Sequence, residues 1–211
     1  MRIGGFQPFT LSDFPGRTAA IIFTKGCDFR CPFCHNGSLI DTSPSQEVLT
    51  DGGPTDESTV LHFLEQRRGK LNGVVVTGGE PTLQEDLPEF LNSVKALGYA
   101  VKLDTNGGHP DVLTQLIEHN LIDYAAMDIK APFAYYNRLT GVDIDVRLIR
   151  KSIRIIADSE LPHHFRTTEV KALFETDYRE AVEQLVPPGS THVWQVFQPL
   201  ESMDLPLRSL D

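Results

Sequence analysis

The chain has 211 residues, of which 40% are hydrophobic and 23% charged, and this composition predicts one soluble domain over residues 1–211 with a core that needs no disulfides. Its 19 basic and 29 acidic residues give a net charge of −10, which excludes a general surface for nucleic acid or anionic membrane. No apolar run approaches the roughly 18 residues that span a bilayer, and the first residues lack the apolar core of a signal peptide, so we expect a cytoplasmic protein.

Segments rich in β-forming residues alternate with segments of helical periodicity along the chain. In chain order, strands are predicted over residues 19–24, 73–76, 99–104, 121–127, 164–171 and 191–197. The clearest helix follows the second strand, where apolar residues recur with a 3.6-residue period from Leu87 to Leu97. Weaker repeats of the same period predict helices around residues 60–64, 112–117, 146–156 and 181–185. The alternation predicts an α/β protein in which helices cover a parallel sheet.

Six β/α units leave two architectures open, because right-handed connections can curl the sheet into a partial barrel or leave it as an open doubly wound sheet. Both architectures place the active site at the carboxyl ends of the strands. Residues 41–54 are rich in polar and turn-forming residues and predict an exposed loop, and residues 201–211 form a C-terminal tail. No segment has the composition of a linker between two domains.

The chain has three cysteines, and all of them lie in the loop over residues 26–36 that follows the first predicted strand. Cys27, Cys31 and Cys34 are separated by three and two residues, so their thiolates can converge on one metal centre. A closed zinc site needs a fourth protein ligand, and the adjacent His35 points away from Cys34 on most backbones. An iron-sulfur cluster bound through three irons fits the number of cysteines and leaves its fourth iron open. A zinc site completed by His62 or His109 is the alternative.

The cysteine loop, with an aromatic residue at Phe33, resembles the Cys-x3-Cys-x-aromatic-Cys loop of the radical S-adenosylmethionine (SAM) superfamily. The chain is similar in particular to the glycyl-radical activating enzymes, above all those that serve anaerobic ribonucleoside-triphosphate reductase. Further segments carry this resemblance in the expected order along the chain: residues 4–16, Cys34-His35-Asn36, Gly78-Gly79-Glu80-Pro81, Asp104-Thr105-Asn106-Gly107 and Asp128-Ile129-Lys130.

The resemblance implies a partial (β/α)6 barrel of the radical SAM type that holds a 4Fe-4S cluster through Cys27, Cys31 and Cys34. It implies that SAM binds the open iron and is cleaved reductively to a 5′-deoxyadenosyl radical, which forms a glycyl radical on a partner enzyme. Anaerobic ribonucleotide reductase is the expected partner, and reduced flavodoxin or ferredoxin is the expected electron donor. No side chain beyond the cluster ligands is expected to be catalytic.

The resemblance also implies a set of residues around SAM. Gly78, Gly79 and Glu80 follow a predicted strand, where the glycines allow close approach and the motif binds the amino group of SAM. An ordinary strand-to-helix turn is the alternative for this segment. Arg166 is expected to hold SAM through a carboxylate, and Phe33 to shield the cluster while its backbone approaches the adenine.

Two more strand ends carry expected cofactor residues. Asp104 lies on the same strand face as Lys102, and Asp128 and Lys130 are two residues apart at the end of the next strand. With Thr105, the resemblance places these residues around SAM, with SAM, Lys130 or a monovalent cation as the counter-charge. A structural salt bridge is the competing interpretation. Related formate-lyase activating enzymes place a histidine after the sixth strand, whereas residues 197–200 of this chain contain none.

Two other functions stay open. A small-molecule radical SAM enzyme, such as a 7-carboxy-7-deazaguanine synthase, shares the Gly78-Gly79-Glu80-Pro81 region and a similar length. A metal-binding or redox module without catalytic activity would use the same cysteines but would not cleave SAM. His163 and His164, at the start of a predicted strand, are expected on the surface or at a partner.

Overall fold

The computed structural model describes residues 1–41, 56–170 and 178–198. Its seven strands are β1 Ile3–Thr10, β2 Ala19–Thr24, β3 Gly73–Gly78, β4 Ala100–Thr105, β5 Tyr124–Asp128, β6 His163–Glu169 and β7 Thr191–Val196. Its helices are α1 Glu57–Gln66, α2 Leu87–Ala96, α3 Pro110–Glu118, α4 Tyr136–Thr140, α5 Val146–Asp158 and α6 Tyr178–Glu183. Within these ranges, no helix is long and apolar enough to cross a membrane.

The strands form one sheet in the order in which they occur along the chain, from β1 to β7. β1 pairs with β2 in the antiparallel sense, and the five pairs from β2 to β7 are parallel. A doubly wound sheet would reverse its strand order at a switch point, and this sheet does not. The predicted α/β fold with a partial barrel is therefore confirmed: six parallel strands follow one another in a sheet that is not closed between β1 and β7 in the described residues.

Apolar side chains pack on both faces of the sheet. The larger core lies between the sheet and the helices, where α2 buries Leu87, Phe90, Leu91 and Val94, the residues whose spacing predicts it. A second, smaller cluster lies on the other face near the amino ends of the strands, where Phe14 packs beside residues of β2 and β3. This cluster makes part of the concave face apolar at the amino ends, while the residues predicted for the cofactors lie toward the carboxyl ends.

The structure adds two elements to those predicted. β1 has glycines at positions 4 and 5 and Pro8, residues that weaken a strand signal, and it survives as an edge strand with two irregularities in its register. α4 has only five residues and ends at Gly141, whose φ is +70°, so it is too short to show a period. The predicted loop over residues 41–54, apart from its first residue, and the predicted tail over residues 201–211 lie outside the described residues.

Candidate active site

A cavity of about 410 Å³ opens at the carboxyl ends of the parallel strands. All the residues predicted for the cluster and for SAM line this one cavity, although they come from five separate segments of the chain. They are Cys27, Cys31, Phe33, Cys34, Gly78, Gly79, Glu80, Asp104, Thr105, Asp128, Lys130 and Arg166. Gln7, Thr77, Thr168 and Gln195 also line it, and sequence reasoning assigned none of them to a cofactor.

The cysteine loop is fixed by main-chain hydrogen bonds on both of its sides. The amide of Gly26 donates to the carbonyl oxygen of Leu39 at 2.7 Å, which closes the loop on itself. The amide of Arg30 donates to the carbonyl oxygen of Thr140 at 2.7 Å, which ties the loop to α4. The Arg30 guanidinium also donates to the carbonyl oxygen of Cys27 within its own loop. The loop is therefore ordered by its surroundings and not by a metal alone.

Gly78, the last residue of β3, and Gly79 permit close packing against the end of β2 and the cysteine loop. Gly78 has a φ of +113°, and a Cβ added there would lie 2.4 Å from the backbone nitrogen of Thr24. A Cβ added at Gly79 would lie 2.1 Å from the carbonyl oxygen of Gly26. The amide of Glu80 donates to that same oxygen at 2.8 Å. These glycines therefore have a structural role that the sequence did not indicate, since Gly78 allows β3 to end directly against the backbone of β2 and Gly79 allows the turn to pack on the backbone of the cysteine loop.

The carboxylate of Glu80 is fully buried and has four hydrogen bonds from two segments. Thr82 donates through its amide and its hydroxyl, the Thr105 hydroxyl donates at 2.7 Å, and the Asn106 amide donates at 2.7 Å. Burial raises the pKa of Glu80, although these hydrogen bonds oppose the rise. The carboxylate thus joins the turn after β3 to the end of β4. Because its oxygens are engaged in these bonds, the main-chain carbonyls of the turn are better acceptors for a ligand ammonium.

A second link joins the cysteine loop to the segment after β4. Asn106 donates from Nδ2 to Asp28 Oδ1 at 2.8 Å, and His109 Nε2 lies 3.1 Å from Asp28 Oδ2. Burial alone would raise the pKa of Asp28, but the bonds from His109 and Asn106 outweigh it and lower the pKa. The bond to Asp28 raises the pKa of His109 in turn. Sequence reasoning missed Asp28 and His109, which are 81 residues apart.

Five charged side chains on β4, at and just after the end of β5 and on β6 pair in alternating sign, and all of them except the buried Lys102 line the cavity. Lys102 Nζ pairs with Asp104 Oδ1, and Asp104 Oδ2 lies 3.0 Å from Arg166 Nη1. Arg166 Nε pairs with Asp128 Oδ1, and Asp128 Oδ2 lies 2.8 Å from Lys130 Nζ. We call these five residues the charge ladder. Because it contains three cations and two anions, it carries a net charge of +1.

The charge ladder holds three of its members, Asp128, Lys130 and Arg166, in their ionised forms. Burial opposes ionisation of Asp128, but the charges of Arg166 and Lys130 outweigh it and keep the pKa of the carboxyl well below its ordinary value. Burial likewise acts against the charge of Lys130 and Arg166, and the aspartates beside them nevertheless raise both pKa values. A zwitterionic ligand would therefore meet fixed positive and negative charges at neutral pH.

His164 lies below the charge ladder, near the amino ends of the strands, and not on the surface as predicted. Its Nδ1 lies 2.9 Å from the hydroxyl oxygen of Tyr124, and the side chain is half-buried. Burial, together with the charges of Lys102 and Arg166, lowers the pKa of His164 to about 4. The imidazole is therefore neutral at pH 7, which is the form that a site next to two cations tolerates.

The three thiols line the cavity as free cysteines. Burial raises the pKa of Cys27 to about 12 and that of Cys31 to about 11, so both are protonated at neutral pH while no metal is bound. Within the described ranges, no three side chains of His, Cys, Asp or Glu are arranged to hold a single metal ion. An iron-sulfur cluster does not need that arrangement, because each thiolate binds a different iron. Three soft sulfur donors at a cavity wall thus fit a cluster.

The histidines proposed for a zinc site are engaged elsewhere. His35 stacks on Phe197 with ring centroids 5.1 Å apart, and its Nε2 lies 3.0 Å from the carbonyl oxygen of Gln198. His62 bonds Gln66 on α1, and His109 bonds Asp28 as described above. In the described parts of the chain, none of these histidines joins the cysteines in a metal-binding group.

Comparisons with known proteins agree with the geometry. A family model described as the radical SAM superfamily matches residues 21–185. A protein of Methanocaldococcus jannaschii whose name assigns it provisionally as a glycyl-radical enzyme activating enzyme is 30% identical over 217 residues, covering 99% of this chain and 85% of that protein. The pyruvate formate-lyase 1-activating enzyme of Escherichia coli is 33% identical over 133 residues, which cover 61% of this chain and 52% of that enzyme.

Two further similarities extend this comparison. The 7-carboxy-7-deazaguanine synthase of Thermococcus kodakarensis is 30% identical over 128 residues, which cover 54% of this chain and 50% of that enzyme. Among solved structures, QueE from Escherichia coli superposes with a TM-score of 0.53 and 18% identity and covers 92% of both chains. This structural likeness concerns the fold.

Proposed function

The chain belongs to the radical SAM superfamily, and from this premise we propose that it is an activating enzyme that generates a glycyl radical on a partner enzyme. The observation that carries the proposal is the match to the Methanocaldococcus jannaschii protein, because it extends over 99% of this chain. The shorter match to pyruvate formate-lyase 1-activating enzyme supports the same group.

The cofactors of this family are a 4Fe-4S cluster and SAM. We assign the cluster to Cys27, Cys31 and Cys34, whose thiols all line the cavity. When both are bound, the reduced cluster and SAM supply a 5′-deoxyadenosyl radical that is able to take a hydrogen atom from a glycine Cα. The remaining task of the protein is to bind, orient and shield these groups.

Residues of the cavity wall suit the methionyl part of SAM. The turn at Gly78 and Gly79 offers main-chain carbonyls to its ammonium group, and the buried Glu80 and Thr105 hold that turn in place. The charge ladder offers Arg166 and Lys130 to its carboxylate. Asp104 and Asp128 already have cationic partners in the protein, so this assignment does not require a monovalent cation.

The cavity also provides shielding. Phe33 is 3% exposed, lies between Cys31 and Cys34 in the sequence and lines the same cavity, so we assign it to the shielding of the cluster. At the amino ends of the strands, the apolar cluster around Phe14 and Val75 closes the concave face. Water that reached a carbon radical would divert its hydrogen transfer, so we infer that both apolar walls serve to exclude it.

We propose anaerobic ribonucleoside-triphosphate reductase as the partner, reduced flavodoxin or ferredoxin as the electron donor, and the cytoplasm as the location. The resemblance of residues 4–16 and of Cys34-His35-Asn36 supports the partner. Arg30 beside the cysteine loop is half-exposed and is a cation that an acidic donor can meet.

Electron paramagnetic resonance tests this function. The reconstituted enzyme is reduced, supplied with SAM and incubated with purified anaerobic ribonucleotide reductase or, in parallel, pyruvate formate-lyase. We expect a glycyl-radical doublet on the reductase that is absent with the Cys31→Ala enzyme and with a reductase whose radical glycine is alanine. A doublet on pyruvate formate-lyase alone would keep the activating function and change the partner. SAM cleavage without a doublet on any such enzyme would contradict the proposal.

A second candidate is a small-molecule radical SAM enzyme of the 7-carboxy-7-deazaguanine synthase type, which the 30% identity over 128 residues favours. The same preparation distinguishes it, because such an enzyme forms a deazaguanine product without any protein partner. We expect no such product. If the wild type forms it faster than the Cys31→Ala variant does, the small-molecule function replaces the activating function.

A further inference from the structure

Lys102 is a buried cation that no motif of the sequence assigns to the cofactor site. It lies on β4 two residues before Asp104, on the same face of the strand, and only 2% of the residue is exposed. Its Nζ pairs with Oδ1 of Asp104. Burying a charged lysine costs free energy unless a counter-charge lies beside it, so packing alone does not explain a lysine at this position.

The pairing with Lys102 divides the two oxygens of Asp104 between different partners. Oδ1 accepts from Lys102, whereas Oδ2 accepts from Arg166 Nη1 at 3.0 Å and from the Thr77 hydroxyl at 3.3 Å. Because only Oδ2 is left to Arg166, the two side chains form a single-contact ion pair and not the two-contact pair that arginine and carboxylate otherwise favour.

The guanidinium of Arg166 in turn bonds two different aspartates. Its Nη1 bonds Asp104, and its Nε bonds Asp128 on the other side. Its third nitrogen, Nη2, makes no ion pair with any residue in the described ranges, and the side chain is 18% exposed and lines the cavity. One edge of the guanidinium is thus left for a ligand.

We propose that Lys102 is a positioning residue for SAM: by holding Oδ1 of Asp104 it limits Asp104 to one contact with Arg166 and so keeps the Nη2 edge of Arg166 available to the carboxylate of SAM. The inference rests on SAM as the cofactor and is independent of which partner enzyme is activated.

Loss of the lysine charge has a definite consequence in this geometry. Oδ1 of Asp104 becomes a buried, charged oxygen without its partner, and the nearest cation is Arg166. The guanidinium then turns toward Asp104 to bond both oxygens, because its planar fork matches a carboxylate. This rotation withdraws Nη2 from the cavity, so the binding of SAM weakens while the cysteine loop keeps its ligands.

The test measures SAM binding to the cluster-loaded, oxidised protein by equilibrium dialysis with labelled SAM, where no turnover occurs. For Lys102→Met, a side chain of similar length without charge, we expect the dissociation constant of SAM to rise about tenfold. At saturating SAM, we expect kcat for SAM cleavage to stay within about twofold of the wild type, a KM effect without a kcat effect. For Lys102→Arg, which keeps the charge, we expect the dissociation constant of SAM and kcat each to stay within about twofold of the wild type.

The double variant separates positioning from general damage. In the Asp104→Asn background, Lys102→Met is expected to change the dissociation constant by less than about twofold, because the lysine acts through that carboxylate. Lys95→Met is the matched control, since Lys95 also pairs with an aspartate, Asp123 at 2.6 Å, away from the cavity. We expect it to leave SAM binding unchanged.

Each outcome decides the inference. Unchanged binding in Lys102→Met, or an equal loss in the Asp104→Asn background, would overturn it. If Lys102→Met does not fold, Lys102→Arg still decides, because a tenfold loss of SAM binding with the charge retained contradicts the proposal. Failure of the wild-type protein to bind SAM would instead contradict the cofactor assignment.

Discussion

Replacement of Gly79 by alanine tests the contact between the turn after β3 and the cysteine loop. The added Cβ would lie 2.1 Å from the carbonyl oxygen of Gly26 and 2.7 Å from its carbonyl carbon. Carbon atoms normally approach such neighbours to about 3.5 Å, so one backbone must move by about 1 Å. Both atoms belong to main chain, and no flexible side chain is available to give way.

The expected destabilisation follows from two contributions. Overpacking against a fixed neighbour costs about 1 to 3 kcal/mol. The same movement strains the 2.8 Å hydrogen bond from the Glu80 amide to Gly26, and the loss of a hydrogen bond of this kind costs about 1 kcal/mol. Together they lower the free energy of unfolding by about 3 kcal/mol, a large part of the 5 to 15 kcal/mol typical of a domain.

Urea unfolding followed by circular dichroism measures this loss, and iron content after anaerobic reconstitution measures its effect on the cluster. We expect Gly79→Ala to lose about 3 kcal/mol and most of its iron. Gly37→Ala is the matched control, because a Cβ there meets nothing within 4 Å although Gly37 also borders the cysteine loop. If Gly79→Ala unfolds at the same urea concentration as Gly37→Ala, the packing argument is wrong.

Three further predictions concern the site. Cys31→Ala should lose the cluster, seen as absent iron and visible absorbance, while its unfolding free energy without metal stays within about 1 kcal/mol of the wild type. Asp128→Asn leaves two buried cations without their counter-charge and should cost about 3 kcal/mol at pH 7. Because its pKa is depressed, this contribution is present above about pH 4 and is lost as the pH falls further. His164, whose pKa is lowered to about 4, takes up a proton below pH 6.5 only when unfolded, so the wild type loses stability as the pH falls from 6.5. Between pH 7 and pH 4.5, the unfolding free energy of His164→Gln should therefore fall by about 2 kcal/mol less than that of the wild type, as measured by urea unfolding at both pH values.

Each of these predictions has its own control or contradicting outcome. Asp111→Asn removes the carboxylate of the exposed ion pair between Asp111 and Lys151, and it should change the unfolding free energy by less than about 0.5 kcal/mol. If Asp128→Asn changes the unfolding free energy as little as Asp111→Asn does, the charge ladder is not a buried network that stabilises the fold. A His164→Gln variant whose stability depends on pH in the same way as that of the wild type would refute the pKa argument. Iron retained by Cys31→Ala would remove Cys31 from the ligand set.

Local sequence signals were sufficient for the repeated units of the fold. The apolar period from Leu87 to Leu97 predicts α2 because its face packs on the core. β2 was predicted with its observed bounds because it is a short apolar run that contains the β-forming residues Ile21, Ile22 and Phe23. β1 escaped prediction because its glycines and Pro8 suppress the local signal, and its strand state depends on pairing with β2.

The candidate site shows the same division between local and distant information. Positions at strand ends, such as Asp104 and Asp128, follow from the α/β pattern, since parallel strands deliver their carboxyl ends to one edge. The partners of these residues do not follow, because they depend on register between strands far apart in sequence. Arg166 lies 62 residues from Asp104, and only the sheet brings them within 3.0 Å.

The structural role of the motif residue Glu80 could also not be predicted from the local sequence. Glu80 was expected to face SAM, and its carboxylate is fully buried under hydrogen bonds from Thr82, Thr105 and Asn106. The sequence carries the residue type, whereas the three-dimensional contacts decide which of its atoms remain for a ligand.

One anaerobic measurement tests the central claim most directly. The wild-type protein is reconstituted with iron and sulfide and reduced, and its electron paramagnetic resonance spectrum is recorded with and without SAM while 5′-deoxyadenosine is quantified. We expect a reduced-cluster signal that SAM alters, accompanied by 5′-deoxyadenosine in amounts that rise with time. A stoichiometric zinc ion in place of the cluster, or a cluster whose spectrum SAM leaves unchanged and which forms no 5′-deoxyadenosine, would contradict the account.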